Sequence, residues 1–275
     1  MAYTTLTSQS KDVHEIMKPA ELRRSVKLFL RARGIEISRS IVKGQENLPG
    51  YVEDEFRTLY QKYAPYTMVS WAGLYGAYRA VNHIIDHNIQ GDLAECGVWK
   101  GGCSAFMMEL LKRRNQQKSR KFYLYDTFEG MTAPTGKDVH FSGAQFAEKQ
   151  YKAKQKANEK WSYSPLDEVK TVIAKANYPK SQTKIIKGDV RETLEQTKPK
   201  TLALLRLDTD WYDSTKAEMQ HLYPRLQSGG ILICDDYGAW KGSYEAIHDY
   251  FKETDQPTPL LQVDTSYGGA TAIKP

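Results

Sequence analysis

The spacing of apolar residues changes near Gly91 and divides the chain into two parts. Before Gly91, apolar residues recur about every 3.6 positions over residues 12–34, 52–63 and 71–87, which predicts helices there. Ser70 stands where the N-cap of the third helix is expected. Residues 36–50 carry no clear period and end in the turn Leu48-Pro49-Gly50. We therefore predict a helical N-terminal extension over residues 1–90.

From Gly91 onward, short apolar runs alternate with helical stretches. The runs predicted as strands cover residues 93–98, 122–126, 184–190, 202–208 and 231–236. The predicted helices cover residues 102–114, 165–176, 215–226 and 243–251, with a further lysine-rich helix within residues 131–164. Residues 260–263 and 270–273 predict a terminal antiparallel hairpin around Gly268-Gly269. This alternation predicts an α/β fold with a doubly wound, mainly parallel, seven-stranded sheet.

Carboxylates follow nearly every predicted strand. In doubly wound sheets, ligands bind outside the carboxyl ends of the strands. Turns and helix caps would explain one or two acids there, but not acids after all five strands. The strand ends therefore predict a ligand site, and its acids are Glu95, Asp126, Asp189, Asp208 with Asp210, and Asp235 with Asp236.

A glycine-rich turn, residues 97–102 (GVWKGG), follows the first strand and opens a helix. Its glycines allow a ligand to approach the backbone, although the spacing is not GxGxxG. Asp126 ends the second strand, where an acid typically binds ribose hydroxyls. Together these features predict a cofactor of the adenosine type, with NAD and S-adenosylmethionine both open and ordinary turn chemistry as the alternative.

A second group of acids follows the fourth and fifth strands. If those strands are neighbours, Asp208, Asp210, Asp235 and Asp236 converge in one cleft. Like charges at close range raise pKa values or require a cation, and ligands made only of oxygen suit magnesium. Helix capping is the alternative, but it leaves the clustering unexplained. A metal beside an adenosyl cofactor suggests a substrate hydroxyl of lowered pKa, with a nearby carboxylate as base.

Composition narrows the class of protein. The chain has 275 residues, 40% of them apolar and 26% charged, which is typical of a globular protein and excludes a disordered one. No apolar run approaches the roughly 18 to 20 residues of a membrane span, and the polar N-terminus lacks the apolar stretch of a secretory signal. Cys96, Cys103 and Cys234 lie in or beside apolar runs, so we expect buried reduced thiols and a cytoplasmic protein.

The net charge of +6 is unevenly distributed. Residues 118–200 hold 17 basic and 10 acidic residues, so this segment alone carries +7. Most of the excess lies in residues 149–160 (KQYKAKQKANEK). Lysine dominates over arginine and aromatic residues do not interleave regularly, which favours a solvated helix face over a nucleic-acid site.

Several motifs resemble those of the macrocin O-methyltransferase family. They are residues 91–102 (GDLAECGVWKGG), 125–131 (YDTFEGM), 205–215 (LRLDTDWYDST), 221–226 (HLYPRL) with 229–230 (GG), 235–238 (DDYG) and 65–68 (PYTM). The resemblance spans about residues 60–255. It implies a class I, Rossmann-like fold and an enzyme that methylates hydroxyls with S-adenosylmethionine and Mg²⁺. The family acts mostly on deoxysugars of macrolide and aminocoumarin natural products in antibiotic biosynthesis.

The resemblance also implies roles for individual residues. Magnesium would be held by Asp208, Asp235 and Asp236. Asp210 would be the general base, a role that Asp208 could share. S-adenosylmethionine would be bound by Thr67, Met68, Glu95, Gly97, Cys103, Ser104, Asp126, Thr127, Asp189, Val190 and Asp208. Arg206, inside a predicted strand, is expected to pair with a buried acid and not to take part in catalysis.

The acceptor is left open, because residues 1–50 and 132–164 match no family motif. We expect residues 1–90 to cover the acceptor site or support a homodimer, and residues 91–275 to form the methyltransferase domain. Residues 132–164 would be a lid with a glycine hinge in residues 140–143 (HFSG), with a plain surface loop as the alternative. Trp211 and Trp240 would either shape the acceptor pocket or only contribute to packing.

We expect a small-molecule acceptor and neither a nucleic acid nor a membrane as a partner. A phenol or catechol methyltransferase and a non-catalytic cofactor-binding scaffold are the alternative functions.

Overall fold

The protein was analysed as a computed structural model that describes residues 43–44, 46–143, 146–264 and 268–275. The helix predicted over residues 12–34 lies outside the described residues. Among the residues that the structure describes, two α-helices precede the sheet, α1 (Asp54–Tyr63) and α2 (Trp71–Asp86). Ser70 caps α2 as predicted, because its hydroxyl oxygen accepts a hydrogen bond from the Gly73 amide at 3.1 Å.

Strands and helices then alternate along the chain. The strands are β1 (Asp92–Cys96), β2 (Phe122–Asp126), β3 (Thr183–Lys187), β4 (Leu202–Leu207), β5 (Leu226–Cys234), β6 (Gln262–Val263) and β7 (Ala270–Ile273). The helices are α3 (Gly102–Arg113), α4 (Phe146–Lys156), α5 (Leu166–Ala174), α6 (Val190–Gln196), α7 (Tyr212–Leu222) and α8 (Lys241–Glu253). Helix α4 is the predicted lysine-rich helix.

The strands described form one sheet in the order β3-β2-β1-β4-β5-β7-β6. Strands β1 to β5 pair in parallel, whereas β7 is antiparallel to both β5 and β6. The predicted doubly wound, mainly parallel sheet with a terminal hairpin is therefore confirmed. All six residues of β4 are buried, as expected for a central strand covered on both faces.

The largest differences from the sequence-based expectation concern β5, α7 and α6. Strand β5 begins at Leu226, five residues before the predicted start, because Leu226 pairs with Leu202 ahead of a register shift in β4. Helix α7 ends at Leu222, where a short 3₁₀ turn containing Pro224 replaces it. Helix α6 was not predicted. It begins after Asp189, whose side chain accepts a hydrogen bond from the Arg191 amide.

Helices cover both faces of the sheet. One apolar cluster joins α1, α2, α3 and α5 to one face, and it includes Phe56, Leu74 and Phe106. The second joins α6, α7 and α8 to the other face. Cys96, Cys103 and Cys234 are free and buried in these clusters, as predicted. Within the described residues, no helix is long and apolar enough to cross a membrane.

The order of the strands reverses between β1 and β4, and ligands of doubly wound sheets bind at such a reversal. The carboxyl ends of both strands meet there: a Cβ at Gly97 would overlap the Asp208 carbonyl group. Gly97 also has a φ of +85°, which side chains with a Cβ rarely adopt. Glycine at position 97 therefore lets the turn after β1 lie directly against the turn after β4.

Candidate active site

A cleft with a cavity volume of about 110 Å³ opens at the carboxyl ends of the parallel strands. Eight of the residues predicted to bind the cofactor or to take part in catalysis line it: Met68, Gly97, Asp126, Thr127, Asp189, Val190, Asp208 and Asp210. The strand ends therefore do converge as the doubly wound topology requires.

Asp126 organises one wall of the cleft. Its Oδ2 accepts hydrogen bonds from the Val98 and Trp99 amides at 2.7 and 3.0 Å, and its Oδ1 accepts one from the Phe128 amide at 2.7 Å. Trp99 and Phe128 both have positive φ values, 47° and 52°. One carboxylate thus ties the glycine-rich turn after β1 to the turn after β2, and fixes the backbone that a ligand would meet.

Asp189 and Val190 line the cleft next to Asp126, at the start of α6, because the Gly188 amide donates a hydrogen bond to the Asp126 carbonyl at 3.0 Å. Asp189 forms an ion pair with Arg191 at 2.6 Å. Burial opposes ionisation, but the hydrogen bonds from Arg191 hold the pKa of Asp189 below its usual value. Asp189 is therefore an anion at neutral pH.

Four residues predicted to bind the cofactor do not line the cleft within the described structure: Thr67, Glu95, Cys103 and Ser104 are all buried. The Glu95 carboxylate is occupied by Ser104 Oγ and by Arg206. Thr67 follows Tyr66, whose carbonyl packs so closely against the first turn of α3 that a Cβ at Gly102 would overlap it. Their contact with a cofactor stays a prediction.

Three carboxylates form a group suited to a metal ion. One oxygen each from Asp208, Asp235 and Asp236 lies within 4.8 Å of the others. Burial raises the pKa of Asp208 well above its usual value, Arg206 opposes the rise, and Asp235 and Asp236 add to it. Asp208 keeps 28% of its side-chain surface exposed to the cleft. A hard divalent cation would relieve this repulsion, and a set of oxygen donors is what magnesium prefers.

Arg206 is buried beneath this group and contacts three acids. Its Nη1 lies 2.7 Å from Glu95 Oε1 and 2.8 Å from Asp208 Oδ2, and its Nη2 lies 2.7 Å from Asp235 Oδ1. The Arg206 and Glu95 side chains are only 2% and 1% exposed. The expectation that Arg206 pairs with a buried acid is confirmed, and the arginine also reaches two of the candidate metal ligands.

Asp210 occupies the turn between β4 and α7, next to the carboxylate group. Its amide donates a hydrogen bond to Asp236 Oδ2 at 2.9 Å, and its side chain is hydrogen-bonded by Trp240. Burial and the nearby Asp208 raise the pKa of Asp210 to about 7, against the opposing effect of its hydrogen bonds. A carboxyl group with a pKa near the operating pH is suited to general base catalysis.

Three tryptophans pack edge to face beside Asp210. Trp211 lies 5.0 Å from Trp240 and 5.8 Å from Trp161, measured between ring centroids. Trp211 lines the cleft and its indole donates a hydrogen bond to the Thr132 carbonyl at 3.0 Å. Trp211 therefore both packs and shapes the cleft. Trp161 was missed because a single tryptophan carries no spacing signal.

The first part of the predicted lid is fastened to the site. The Phe141 amide bonds to the Ala239 carbonyl at 3.0 Å, and the Lys241 amide bonds to the Val139 carbonyl at 2.9 Å. Buried Asp138 accepts a hydrogen bond from the Tyr212 amide at 2.8 Å, at the N-terminus of α7. Asp138 was missed as well, since its partner lies 74 residues away in sequence.

The family model of the macrocin-O-methyltransferases matches residues 46–268. The chain belongs to the macrocin-O-methyltransferase family. This macrocin-O-methyltransferase family member is thus an enzyme that transfers a methyl group from S-adenosylmethionine to a hydroxyl.

Two curated relatives lie in the same range of similarity. The 8-demethyl-8-(2,3-dimethoxy-alpha-L-rhamnosyl)-tetracenomycin-C 4'-O-methyltransferase of Streptomyces olivaceus is 31% identical over 199 residues, which are 72% of each chain. The demethyldecarbamoylnovobiocin O-methyltransferase of Streptomyces niveus is 30% identical over 199 residues, again 72% of each chain.

Two solved structures share the fold. The O-methyltransferase NovP matches with a TM-score of 0.64 and 27% identity, over 76% of this chain and 82% of that one. The calicheamicin methyltransferase CalS11 matches with a TM-score of 0.58 and 18% identity, over 98% of this chain and 99% of that one. The predicted class I, Rossmann-like methyltransferase fold is confirmed.

Proposed function

We propose that this family member methylates a sugar hydroxyl of a glycosylated natural product in a Mg²⁺-dependent reaction. The observation that carries the proposal is the position of the three carboxylates, Asp208, Asp235 and Asp236, beside both Asp210 and the cofactor cleft. The relative from Streptomyces olivaceus is named for a rhamnosyl tetracenomycin, which supports a sugar-bearing acceptor.

Asp208, Asp235 and Asp236 would hold the magnesium ion. The fit rests on three observations: the donors are all carboxylate oxygens, they are close together, and the ionised form of Asp208 is disfavoured without a cation. A bound magnesium ion would lower the pKa of a hydroxyl that it contacts.

The cofactor would lie along the cleft from Asp189 to Gly97. Asp126 would accept a hydrogen bond from the ribose hydroxyls, and Asp189 and Val190 would contact the adenine. Gly97 and Met68 would border the methionine end. Met68 is 60% exposed, so this large apolar side chain is available for contact with a ligand.

Asp210 would act as the general base. It removes the proton of the acceptor hydroxyl while the hydroxyl oxygen attacks the methyl carbon in line with the carbon–sulfur bond. That bond breaks with its electron pair on sulfur, which leaves S-adenosylhomocysteine. Holding the two reactants in line contributes much of the rate.

A transfer assay tests the proposal. The protein is incubated with methyl-labelled S-adenosylmethionine and a panel of deoxysugar-bearing polyketides, their matched aglycones and simple catechols, in Mg²⁺ or in a chelator. We expect label on a glycosylated acceptor only when Mg²⁺ is present. Label on catechols alone would establish the phenol-type alternative, and full transfer in chelator would contradict the metal site.

The predicted homodimer, the cytoplasmic location and the lack of a nucleic-acid partner stay predictions, as does the division of the chain at residue 90. Size-exclusion chromatography with light scattering measures the first of these directly.

A further inference from the structure

Glu218 is a buried carboxyl group that the proposed reaction does not use. It lies on α7 and is 0% exposed. Its Oε1 accepts a hydrogen bond from Thr209 Oγ1 at 2.9 Å. Its other hydrogen-bond partner is the thiol of Cys96, which is a weak donor. An acid buried with such weak compensation lowers the stability of a fold, and an apolar residue of similar size would stabilise it.

The hydroxyl partner of Glu218 occupies a decisive position. Thr209 stands between Asp208, a candidate metal ligand, and Asp210, the proposed base. Asp210 has a φ of +63°, a left-handed conformation that persists only where the surroundings enforce it.

Hydrogen bonds enforce this conformation from several sides. The Thr209 carbonyl accepts from the Trp211 amide at 2.7 Å, and the Asp210 amide donates to Asp236 at 2.9 Å. The Thr209 side chain is held only through Glu218 in the contacts described. The bond to Glu218 therefore fixes the residue that precedes the base.

We propose that Glu218 is a positioning residue for methyl transfer: it accepts the Thr209 hydroxyl bond and so holds the turn that aims Asp210 at the acceptor. The inference rests on the proposed role of Asp210. It explains why a carboxyl group occupies a site where stability favours an apolar side chain, since local costs of this kind recur at functional sites.

The surroundings of Glu218 disfavour its ionised form. The titratable groups that face it are the thiols of Cys96 and Cys234 and the carboxyls of Asp208 and Asp236. Burial raises the pKa of Glu218 well above its usual value, and Asp236 and Asp208 add to the rise. A glutamine side chain keeps an oxygen that can accept the Thr209 hydroxyl bond, so it is the conservative replacement.

Three substitutions test the proposal. Glu218→Leu and Thr209→Val each remove the hydrogen bond, and Glu218→Gln keeps an acceptor for it. We expect kcat to fall about 10- to 100-fold in the first two, because a small misplacement of a catalytic group is costly, while KM for the acceptor changes less than twofold. Glu218→Gln should stay within about threefold of wild type. The double variant Glu218→Leu/Thr209→Val should be no slower than the slower single variant, because both remove one interaction.

Stability separates positioning from a structural role. Glu218→Leu should melt at or above the temperature of wild type while losing activity, whereas a structural residue would lose both. Thr171→Val makes the same substitution at an exposed position on α5, where the hydroxyl bonds to the Asp167 carbonyl at 2.8 Å, and should leave kcat unchanged. Unchanged kcat in Glu218→Leu, or a loss in Glu218→Gln equal to that in Glu218→Leu, would overturn the proposal.

A readout without turnover keeps this test independent of the acceptor. Amide hydrogen exchange of the peptide over residues 207–213 should be faster in Glu218→Leu and Thr209→Val than in wild type and in Glu218→Gln. Equal exchange in all four proteins would overturn the positioning role. If exchange follows the expected pattern and Asp210→Asn keeps full turnover, the base assignment is wrong while Glu218 still holds the turn.

Discussion

Replacing Arg206 by methionine removes the cation that Glu95, Asp208 and Asp235 share. Methionine has a similar length, so the change removes charge and hydrogen bonds with little change in volume. The effect should be largest at Glu95, which is 1% exposed and would lose the counter-charge that now lies 2.7 Å away. Removing one partner of a buried ion pair typically costs about 3 to 5 kcal/mol of unfolding free energy. At about 2 to 4 °C per kcal/mol for a protein of this size, the melting temperature should fall by roughly 10 °C.

Thermal and urea unfolding, followed by circular dichroism, would measure this loss with and without MgCl₂. We expect Mg²⁺ to stabilise Arg206→Met more than wild type, since Asp208 and Asp235 then lack the arginine that neutralises them. Glu95 remains unpaired in both conditions, so Mg²⁺ should recover only part of the loss. Arg206→Met/Glu95→Gln should be more stable than Arg206→Met alone, because it leaves no unpaired charge on Glu95.

The matched control is Lys152→Met, which removes the same charge from an exposed pair. Lys152 and Glu148 are 2.5 Å apart, but both side chains are at least 65% exposed. Such surface pairs contribute at most about 1 kcal/mol, so the control should melt close to wild type. A loss below about 1 kcal/mol in Arg206→Met, or a double variant less stable than the single one, would refute the reasoning.

Three further predictions concern the base, the metal and the meeting of β1 with β4. The pKa of Asp210 is raised to about 7, chiefly by burial, so the fraction of Asp210 that can accept a proton grows as pH rises and kcat should increase through neutral pH. Asp210→Asn should lower kcat at least about 100-fold while it binds S-adenosylhomocysteine normally. A pH-independent kcat between 6 and 8, with chemistry rate-limiting, would contradict this. Asp235→Ala should abolish Mg²⁺-dependent transfer without weakening S-adenosylhomocysteine binding, as measured by calorimetry; retained activity in Mg²⁺ would exclude Asp235 as a ligand. Gly97→Ala should weaken both cofactor and metal binding, because its Cβ would overlap the Asp208 carbonyl, whereas Gly136→Ala, where a Cβ meets nothing within 4 Å, should change neither.

Sequence patterns predicted the sheet well because the burial of these strands follows from local composition. Strand β2 was predicted with its observed bounds, and the acids at the strand ends converge because parallel strands share one carboxyl edge. The start of β5 could not be predicted in this way. Glycine residues normally mark the end of a strand, so Gly229 and Gly230 did not suggest one. They lie within β5 because the residues on both sides of them pair with β4.

The buried residues that support the site could not be predicted from the local sequence, for a similar reason. Glu218 occurs in a helix whose sequence carries no motif that marks it. Its hydrogen bond with Thr209 depends on how α7 packs on the sheet. Asp138 caps α7 from a segment 74 residues earlier. Such contacts depend on tertiary packing, which no spacing in a single sequence encodes.

The tryptophans near the cleft have a practical consequence. The chain has five tryptophans, and Trp99 and Trp211 line the cleft while Trp161 and Trp240 pack against Trp211. Indole emission responds to the polarity of its surroundings, so most of the intrinsic fluorescence of this enzyme originates where ligands would bind. A titration that follows this emission could rank candidate acceptors by affinity before any methylated product has been identified.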